Sequence, residues 1–158
     1  MENKDRDFGT QSQKDARTNG EYWRIAKEIE ADKCVFCDLR DKYIIDRNNQ
    51  GVLTVNMFPY IDGQLLVIPN RHFVDVSEMT DDEVLGMHEL CNKGIDLLKT
   101  KLDIDNVWLI LRNGNVAGKT IKHLHWNILP YVDGINTWNF QEITIPPVEM
   151  ASKLREEK

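Results

Sequence analysis

The sequence predicts an α+β domain in which an antiparallel sheet of about five strands packs with one long helix. Its 158 residues are 41% hydrophobic and 29% charged, which suits one domain with a hydrophobic core. Short apolar runs cluster on both sides of one long helical pattern, and no regular strand–helix–strand alternation is visible. This order favours antiparallel over parallel pairing.

The first 31 residues are interpreted as a polar N-terminal extension. Residues 1–18 have almost nothing to bury, so we expect them to be disordered or loosely attached. Residues 19–31 predict a short helix capped by Asn19, because apolar side chains recur there at helical spacing: Tyr22, Trp23, Ile25, Ala26 and Ile29.

Short apolar and β-branched runs predict the first strands. Tyr43–Ile45 and Gly51–Val55 predict two strands joined by a polar segment. Gln64–Ile68 is almost continuously apolar, and we expect it to be a central strand that ends at Pro69.

The long helix has a clear start in the sequence. Thr80 and Glu83 form a capping box, which predicts a helix from this point to about Lys101. One side of this helix is expected to be mostly apolar, and it comprises Val84, Met87, His88, Cys91, Ile95 and Leu98. His88 is therefore interpreted as a packing or interface residue.

The remaining elements follow the long helix. Asn106–Leu111 predicts a strand, and the run from His123 to Pro130 predicts another. A loop of small residues with Gly114 and Gly118 lies between them, and its backbone could approach a phosphate closely. Residues 141–158 form a C-terminal tail, in which 148–156 predict a helix after two prolines.

Charge and hydropathy exclude several classes of partner. A net charge of −6 and a pI near 5.2 argue against binding a nucleic-acid polymer. No apolar run is long enough to cross a membrane and the N-terminus lacks a signal peptide, so we expect a cytoplasmic protein that binds no membrane. Arg112, Lys119 and Lys122 could still attract a small anion, or simply form a solvated loop.

A pair of cysteines suggests a metal site. Cys34 and Cys37 place two thiols on one turn, which is the usual first half of a tetrahedral zinc site. Two more ligands are needed, and the chain has only four histidines. His72, just beyond a predicted strand, and His123, at the start of another, are the candidates. A redox-active or simply buried cysteine pair is the alternative that the spacing leaves open.

Two histidines at alternate positions suggest catalysis. Because alternate residues of a strand share a face, His123, His125 and Asn127 are expected in a row, with Leu124 and Trp126 opposite. If a metal binds His123, His125 keeps an imidazole that can act as a nucleophile near pH 7. A single histidine would more often be a satisfied core residue, but two behind a glycine loop favour chemistry.

The run His123-Leu-His125-Trp-Asn127-Ile-Leu-Pro130, behind the glycine loop, resembles the signature of the histidine triad (HIT) superfamily. The likeness extends upstream to Asn56 and covers about residues 32–140. Within the superfamily the chain is similar to the diadenosine tetraphosphate phosphorylase branch, with which it shares Trp23-Arg24, Cys34-x-x-Cys37, Pro59-Tyr60, Arg71-His72 and His123-Leu-His125-Trp126.

The resemblance implies a HIT-like nucleotide-binding catalytic domain over residues 32–140 that forms a homodimer. It implies a structural Zn²⁺ bound by Cys34, Cys37, His72 and His123. His125 then corresponds to the nucleophile, with His123 and Asn127 beside it in the triad. The implied nucleotide-binding residues are Asn56, at the ribose position, and Arg112, Gly118, Lys119 and Thr120 in the phosphate loop.

Three positions depart from the family pattern. Asn127 stands where hydrolases have a histidine and the transferase and phosphorylase branches commonly have glutamine. Arg112 and Lys119 replace residues that are usually asparagine and glutamine. The resemblance as a whole implies hydrolysis or transfer at the α-phosphate of a dinucleoside polyphosphate-like nucleotide through a nucleotidyl-histidine intermediate. The alternative is a non-catalytic nucleotide-binding module that zinc stabilises.

Overall fold

A computed structural model of the chain describes residues 34–114, 121–136 and 141–155. Within these residues the strands are β1 (Ile44–Arg47), β2 (Gly51–Val55), β3 (Leu65–Pro69), β4 (Val107–Leu111) and β5 (Trp126–Pro130), and the α-helices are α1 (Asp81–Leu102) and α2 (Pro147–Leu154). The predictions made for residues 1–31, including the short helix, lie outside the described residues.

The strands form one sheet in the order β1-β2-β3-β5-β4, and every neighbouring pair is antiparallel. The predicted α+β fold with five antiparallel strands is therefore confirmed. β5 lies between β3 and β4, and its ladder with β3 ends at the pair of Val67 and Trp126. Because the two strands are antiparallel, the chain that leaves β3 meets the chain that enters β5.

The start of α1 is the one that the sequence predicts. The side chain of Thr80 accepts the N–H of Glu83, and the side chain of Glu83 accepts the N–H of Thr80. The helix ends at Leu102, and Asp103 follows with a left-handed φ of 57°.

The predicted apolar stripe of α1 is only partly correct. Met87, Cys91 and Leu98 are buried, but Val84 is half exposed and His88 is exposed. The helix meets the sheet through a face that includes Gly94, where an added Cβ would lie 2.7 Å from Cδ1 of Ile128. Gly94 therefore lies on the face that contacts the sheet and Val84 does not. His88 does not pack within the described part of the chain, and its interpretation as an interface residue stays a prediction.

α1 and α2 cover the same sheet face, where α1 packs on β2 and β3. The buried core includes Leu53, Val55, Leu65, Leu98, Ile128 and Leu154. α2 begins with Pro147 in its first turn, as the paired prolines predict. Among the described residues no helix has the length and apolar character needed to cross a membrane.

The last strand begins later than the sequence predicts. β5 starts at Trp126, so His123 and His125 precede the strand instead of standing on it. The reason is that the backbone N–H of Leu124 donates to the carbonyl of Phe73, 2.8 Å away, outside the β3–β5 ladder. The segment is buried: Leu124 and His123 are both 0% exposed.

Candidate active site and metal site

Four predicted ligands come together where β3 ends and β5 begins. The ligand atoms of Cys34, Cys37, His72 and His123 all lie within 4.8 Å of one another. Nδ1 of His123 is 3.5 Å from each sulfur, and Nδ1 of His72 is 3.2 Å from the Cys37 sulfur. In a tetrahedral zinc site, sulfur and nitrogen ligands are about 3.5 Å apart, given bond lengths of about 2.3 and 2.0 Å. The side chains therefore have the spacing of a metal site.

Local structure explains this convergence. Cys34 precedes a single 3₁₀ turn and Cys37 is its last residue, and a 3.2 Å hydrogen bond from the N–H of Cys37 to the carbonyl of Cys34 closes the turn. His72 follows β3 by three residues and His123 precedes β5 by three, so the antiparallel pairing of the two strands brings the imidazoles together. Their ring centroids are 4.6 Å apart.

The protonation of His123 suits a metal ligand. Its Nε2 is 2.8 Å from the carbonyl oxygen of Pro69, and a carbonyl can only accept. The proton is therefore on Nε2, and Nδ1 presents its lone pair towards the sulfurs. Burial raises the pKa of the Cys34 thiol to about 11, so a thiolate there needs a nearby cation. These residues fit a divalent metal ion.

His125 lies beside this cluster, and its ring carries the proton on the other nitrogen than the ring of His123 does. Its Nδ1 is 2.8 Å from the carbonyl oxygen of His123, so Nδ1 carries the proton and Nε2 carries the lone pair of the neutral ring. The side chain is 7% exposed, and the ring of Phe36 meets it edge-on at 4.9 Å. Phe36 belongs to the cysteine turn, so this turn contributes to both the metal cluster and the surroundings of His125.

Asn127 is buried and paired with a residue that the sequence analysis did not assign to the site. Nε2 of Gln64 donates to Oδ1 of Asn127 over 3.2 Å, and both side chains are less than 5% exposed. The available signal was a polar residue at the start of an apolar strand. That signal could not reveal the partner, because the two residues are 63 positions apart.

Two predicted nucleotide-binding residues lie in the described part of the chain. Asn56 follows β2, and its Oδ1 accepts the N–H of Phe58 over 2.9 Å. Arg112 follows β4 directly and His125 precedes β5 directly, and the pair of Leu111 and Trp126 closes the ladder between these strands. The backbone of Arg112 therefore lies at the same end of the sheet as that of His125. Gly118, Lys119 and Thr120 lie outside the described residues.

The chain belongs to the HIT family, because the HIT domain model matches residues 39–133, more than half of the sequence. It is 31% identical over 105 residues to an uncharacterized HIT-like protein of Methanocaldococcus jannaschii, a match that covers 64% of this chain and 81% of the relative. This assignment agrees with the resemblance seen in the sequence.

Two further comparisons identify a relative that is an enzyme and a solved structure with a similar fold. The chain is 26% identical over 92 residues to a bis(5'-adenosyl)-triphosphatase of Dictyostelium discoideum, covering 58% of this chain and 62% of that enzyme. A Zn-bound histidine triad family protein from Mycobacterium smegmatis superposes with a TM-score of 0.65 at 24% identity, over 77% of this chain and 90% of that one. Some relatives are thus nucleotide hydrolases, and the fold is that of a histidine triad protein.

Proposed function

We propose that the protein is a nucleotidyl hydrolase or nucleotidyltransferase in which His125 attacks the α-phosphorus of a nucleotide. The observation that carries this proposal is the 2.8 Å hydrogen bond from Nδ1 of His125 to the carbonyl of His123. It fixes the neutral tautomer whose Nε2 lone pair can attack phosphorus.

The reaction has two displacements. In the first, a bond forms between Nε2 of His125 and the α-phosphorus, and the bond from phosphorus to the leaving oxygen breaks. In the second, water or another acceptor attacks the same phosphorus and the histidine leaves. Arg112 and Lys119 would balance the charge on the phosphoryl oxygens, and the backbone N–H groups of Gly118 and Thr120 in the loop would donate to them.

We propose a dinucleoside polyphosphate-like substrate. The bis(5'-adenosyl)-triphosphatase relative supports this class. Asn127 supports it independently, because an amide cannot protonate a leaving group. Phosphate esters need no such proton, whereas the amines of phosphoramidates do. The ribose would meet Asn56, which directly follows β2.

The acceptor distinguishes a hydrolase from a phosphorylase. Without a general base at position 127, the intermediate should react slowly with water and persist for inorganic phosphate. Product analysis with bis(5'-adenosyl) triphosphate, with and without phosphate, tests this. Nucleoside diphosphate formed only with phosphate would support the phosphorylase, and monophosphate alone under both conditions would leave a hydrolase.

We propose that the metal is Zn²⁺ with a structural role. The two sulfur and two nitrogen ligands are the set that zinc prefers, and four protein ligands leave no position for a reacting water. The zinc of the Mycobacterium smegmatis protein supports the choice of metal. Cys34→Ser should lower both the bound zinc and the stability, because binding energy at a closed site is folding energy. Full zinc content after replacing both Cys34 and His72 would contradict the assignment.

A homodimer is part of the same proposal. Within the described sheet β4 is an edge strand, and Trp108 and Leu109 on it are 40% and 50% exposed. A second copy could cover these side chains. Leu109→Lys should then reduce the mass measured by light scattering to that of a monomer. The thiol pair also needs a reducing compartment, which supports a cytoplasmic location.

A second candidate is a non-catalytic nucleotide-binding module. The observation in its favour is that the amide of Asn127 replaces a titratable residue in the triad. Incubation with bis(5'-adenosyl) triphosphate separates the two functions, because only an enzyme releases mononucleotide. His125→Ala is the control, and it should abolish any release that the parent protein shows.

A further inference from the structure

A chain of amide groups runs from a loop backbone to Asn127. The N–H of Tyr60 donates to Oε1 of Gln64 over 2.8 Å. A backbone N–H can only donate, so the Gln64 atom that it meets must be the oxygen. The other end of that amide is then NH₂, and it donates to Oδ1 of Asn127 over 3.2 Å. The direction of both side-chain amides is therefore set by a backbone group.

This direction leaves an N–H donor at the Asn127 end of the series of hydrogen bonds. With Oδ1 of Asn127 turned to Gln64, its Nδ2 points elsewhere. Nδ2 is buried and has no hydrogen-bond partner in the part of the chain that the structure describes, and the residue is 4% exposed. Buried amide donors are nearly always paired. An acceptor that arrives with a ligand would complete the pairing.

The position of Asn127 suggests which ligand group this is. Asn127 is the second residue of β5, and His125 directly precedes that strand. Two residues of extended chain span about 7 Å, which is within the reach of a phosphoryl group bonded to an imidazole. A non-bridging phosphoryl oxygen carries negative charge and can only accept, so it matches an N–H donor.

We propose that Gln64 is a positioning residue, which holds the amide of Asn127 so that Nδ2–H donates to a non-bridging oxygen of the phosphoryl group at His125. The inference rests on the proposed function. The Tyr60–Gln64–Asn127 chain contains no group that titrates near neutral pH, so it presents a donor throughout that range. A carboxylate in place of Gln64 would reverse it, because Asn127 would then turn its NH₂ towards position 64 and its oxygen towards the phosphate.

Gln64→Glu tests this through pH. At pH 8.5 the introduced carboxylate cannot donate, so kcat with bis(5'-adenosyl) triphosphate should fall about 100-fold, and KM should rise because the bound phosphate then meets the oxygen of Asn127. Protonation restores a donor, and burial moves the pKa of such a carboxyl above about 4.3. The ratio of variant to parent kcat should therefore rise about tenfold as pH is lowered to 5.5, whereas a merely structural defect gives a flat ratio.

Two variants serve as controls. Gln64→Leu removes the donor without adding a titratable group, so its kcat ratio should be low and flat across the same pH range. Gln50→Glu adds the same charge at the turn between β1 and β2, outside the site, and should keep the parent activity. A flat ratio for Gln64→Glu in an active parent enzyme would overturn the positioning role and leave the proposed function intact.

Binding of AMP separates failure of the inference from failure of the function. Calorimetry at pH 8.5 should show weaker AMP binding by Gln64→Glu than by the parent, with recovery at pH 5.5. This result in a parent without turnover would support the positioning role and remove the catalytic proposal. A parent that neither turns over the substrate nor binds AMP would overturn both.

Discussion

His123→Ala and His125→Ala form a matched pair that separates the metal from the chemistry. The two imidazoles are buried, lie two residues apart, and each bonds one backbone carbonyl at 2.8 Å. They differ in the second ring nitrogen: that of His123 faces the two sulfurs, and that of His125 is the proposed nucleophile. Substitution by alanine should therefore have different consequences at the two positions.

The magnitudes follow from these contacts. His123→Ala removes the donor to the buried carbonyl of Pro69, which costs about 1–3 kcal/mol, and leaves a cavity that adds about 2 kcal/mol. It also removes one of the four candidate metal ligands, so stoichiometric zinc should be lost. His125→Ala loses one hydrogen bond and the edge contact with Phe36, together about 2 kcal/mol, and should keep the zinc.

The assay combines three measurements on each variant: zinc content by plasma mass spectrometry, the free energy of unfolding in urea, and turnover of bis(5'-adenosyl) triphosphate. His125→Ala should lose at least about 10⁴-fold in kcat, because a covalent nucleophile acts as a unit with its partners. Equal loss of zinc by both variants, or near-parental turnover of His125→Ala, would refute this division of roles.

Three further predictions concern residues around the site. Arg71 donates to both carboxylate oxygens of Glu83 over 2.9 Å and lowers the pKa of Glu83 to about 2. The stability that this pairing contributes is present above the usual pKa of about 4.3 and is lost as pH falls towards 2. In Glu83→Gln, the stability monitored by circular dichroism should therefore decrease less between these two pH values than it does in the parent protein. Asp62 accepts the backbone N–H groups of Thr144 and Ile145 and the Thr144 hydroxyl, so Asp62→Ala should lower the free energy of unfolding in urea by about 1–2 kcal/mol; no shift of the midpoint would contradict this. Phe36→Leu should keep the zinc but lower kcat about tenfold in steady-state assays, because the His125 ring loses its edge contact; unchanged kcat would show that the contact does not position the ring.

The sequence was sufficient where the physical signal is local. The capping box of Thr80 and Glu83 is contained within four residues, so the start of α1 could be predicted. Cysteine spacing and the scarcity of histidines also made Cys34, Cys37, His72 and His123 the candidate metal ligands, and their ligand atoms do lie within 4.8 Å of one another.

The sequence was insufficient where pairing is long-range. Nothing local in Gln64 shows that its amide meets Asn127, because this contact depends on the register of β3 against β5. The rotated face of α1 has a similar origin: the close approach at Gly94 depends on Ile128 of another element. The late start of β5 follows from the bond of Leu124 to Phe73, which periodicity does not encode.

The central claim is that His125 carries a nucleotidyl group during turnover, and trapping that group tests it most directly. The protein is mixed with bis(5'-adenosyl) triphosphate, quenched in alkali within one turnover, and examined by intact-mass and peptide mass spectrometry. If His125 is the nucleophile, the peptide that contains it should carry an added adenylyl mass, and the same peptide of His125→Ala should not. Adenylylation of another residue, or rapid turnover with no adduct at any quench time, would contradict it.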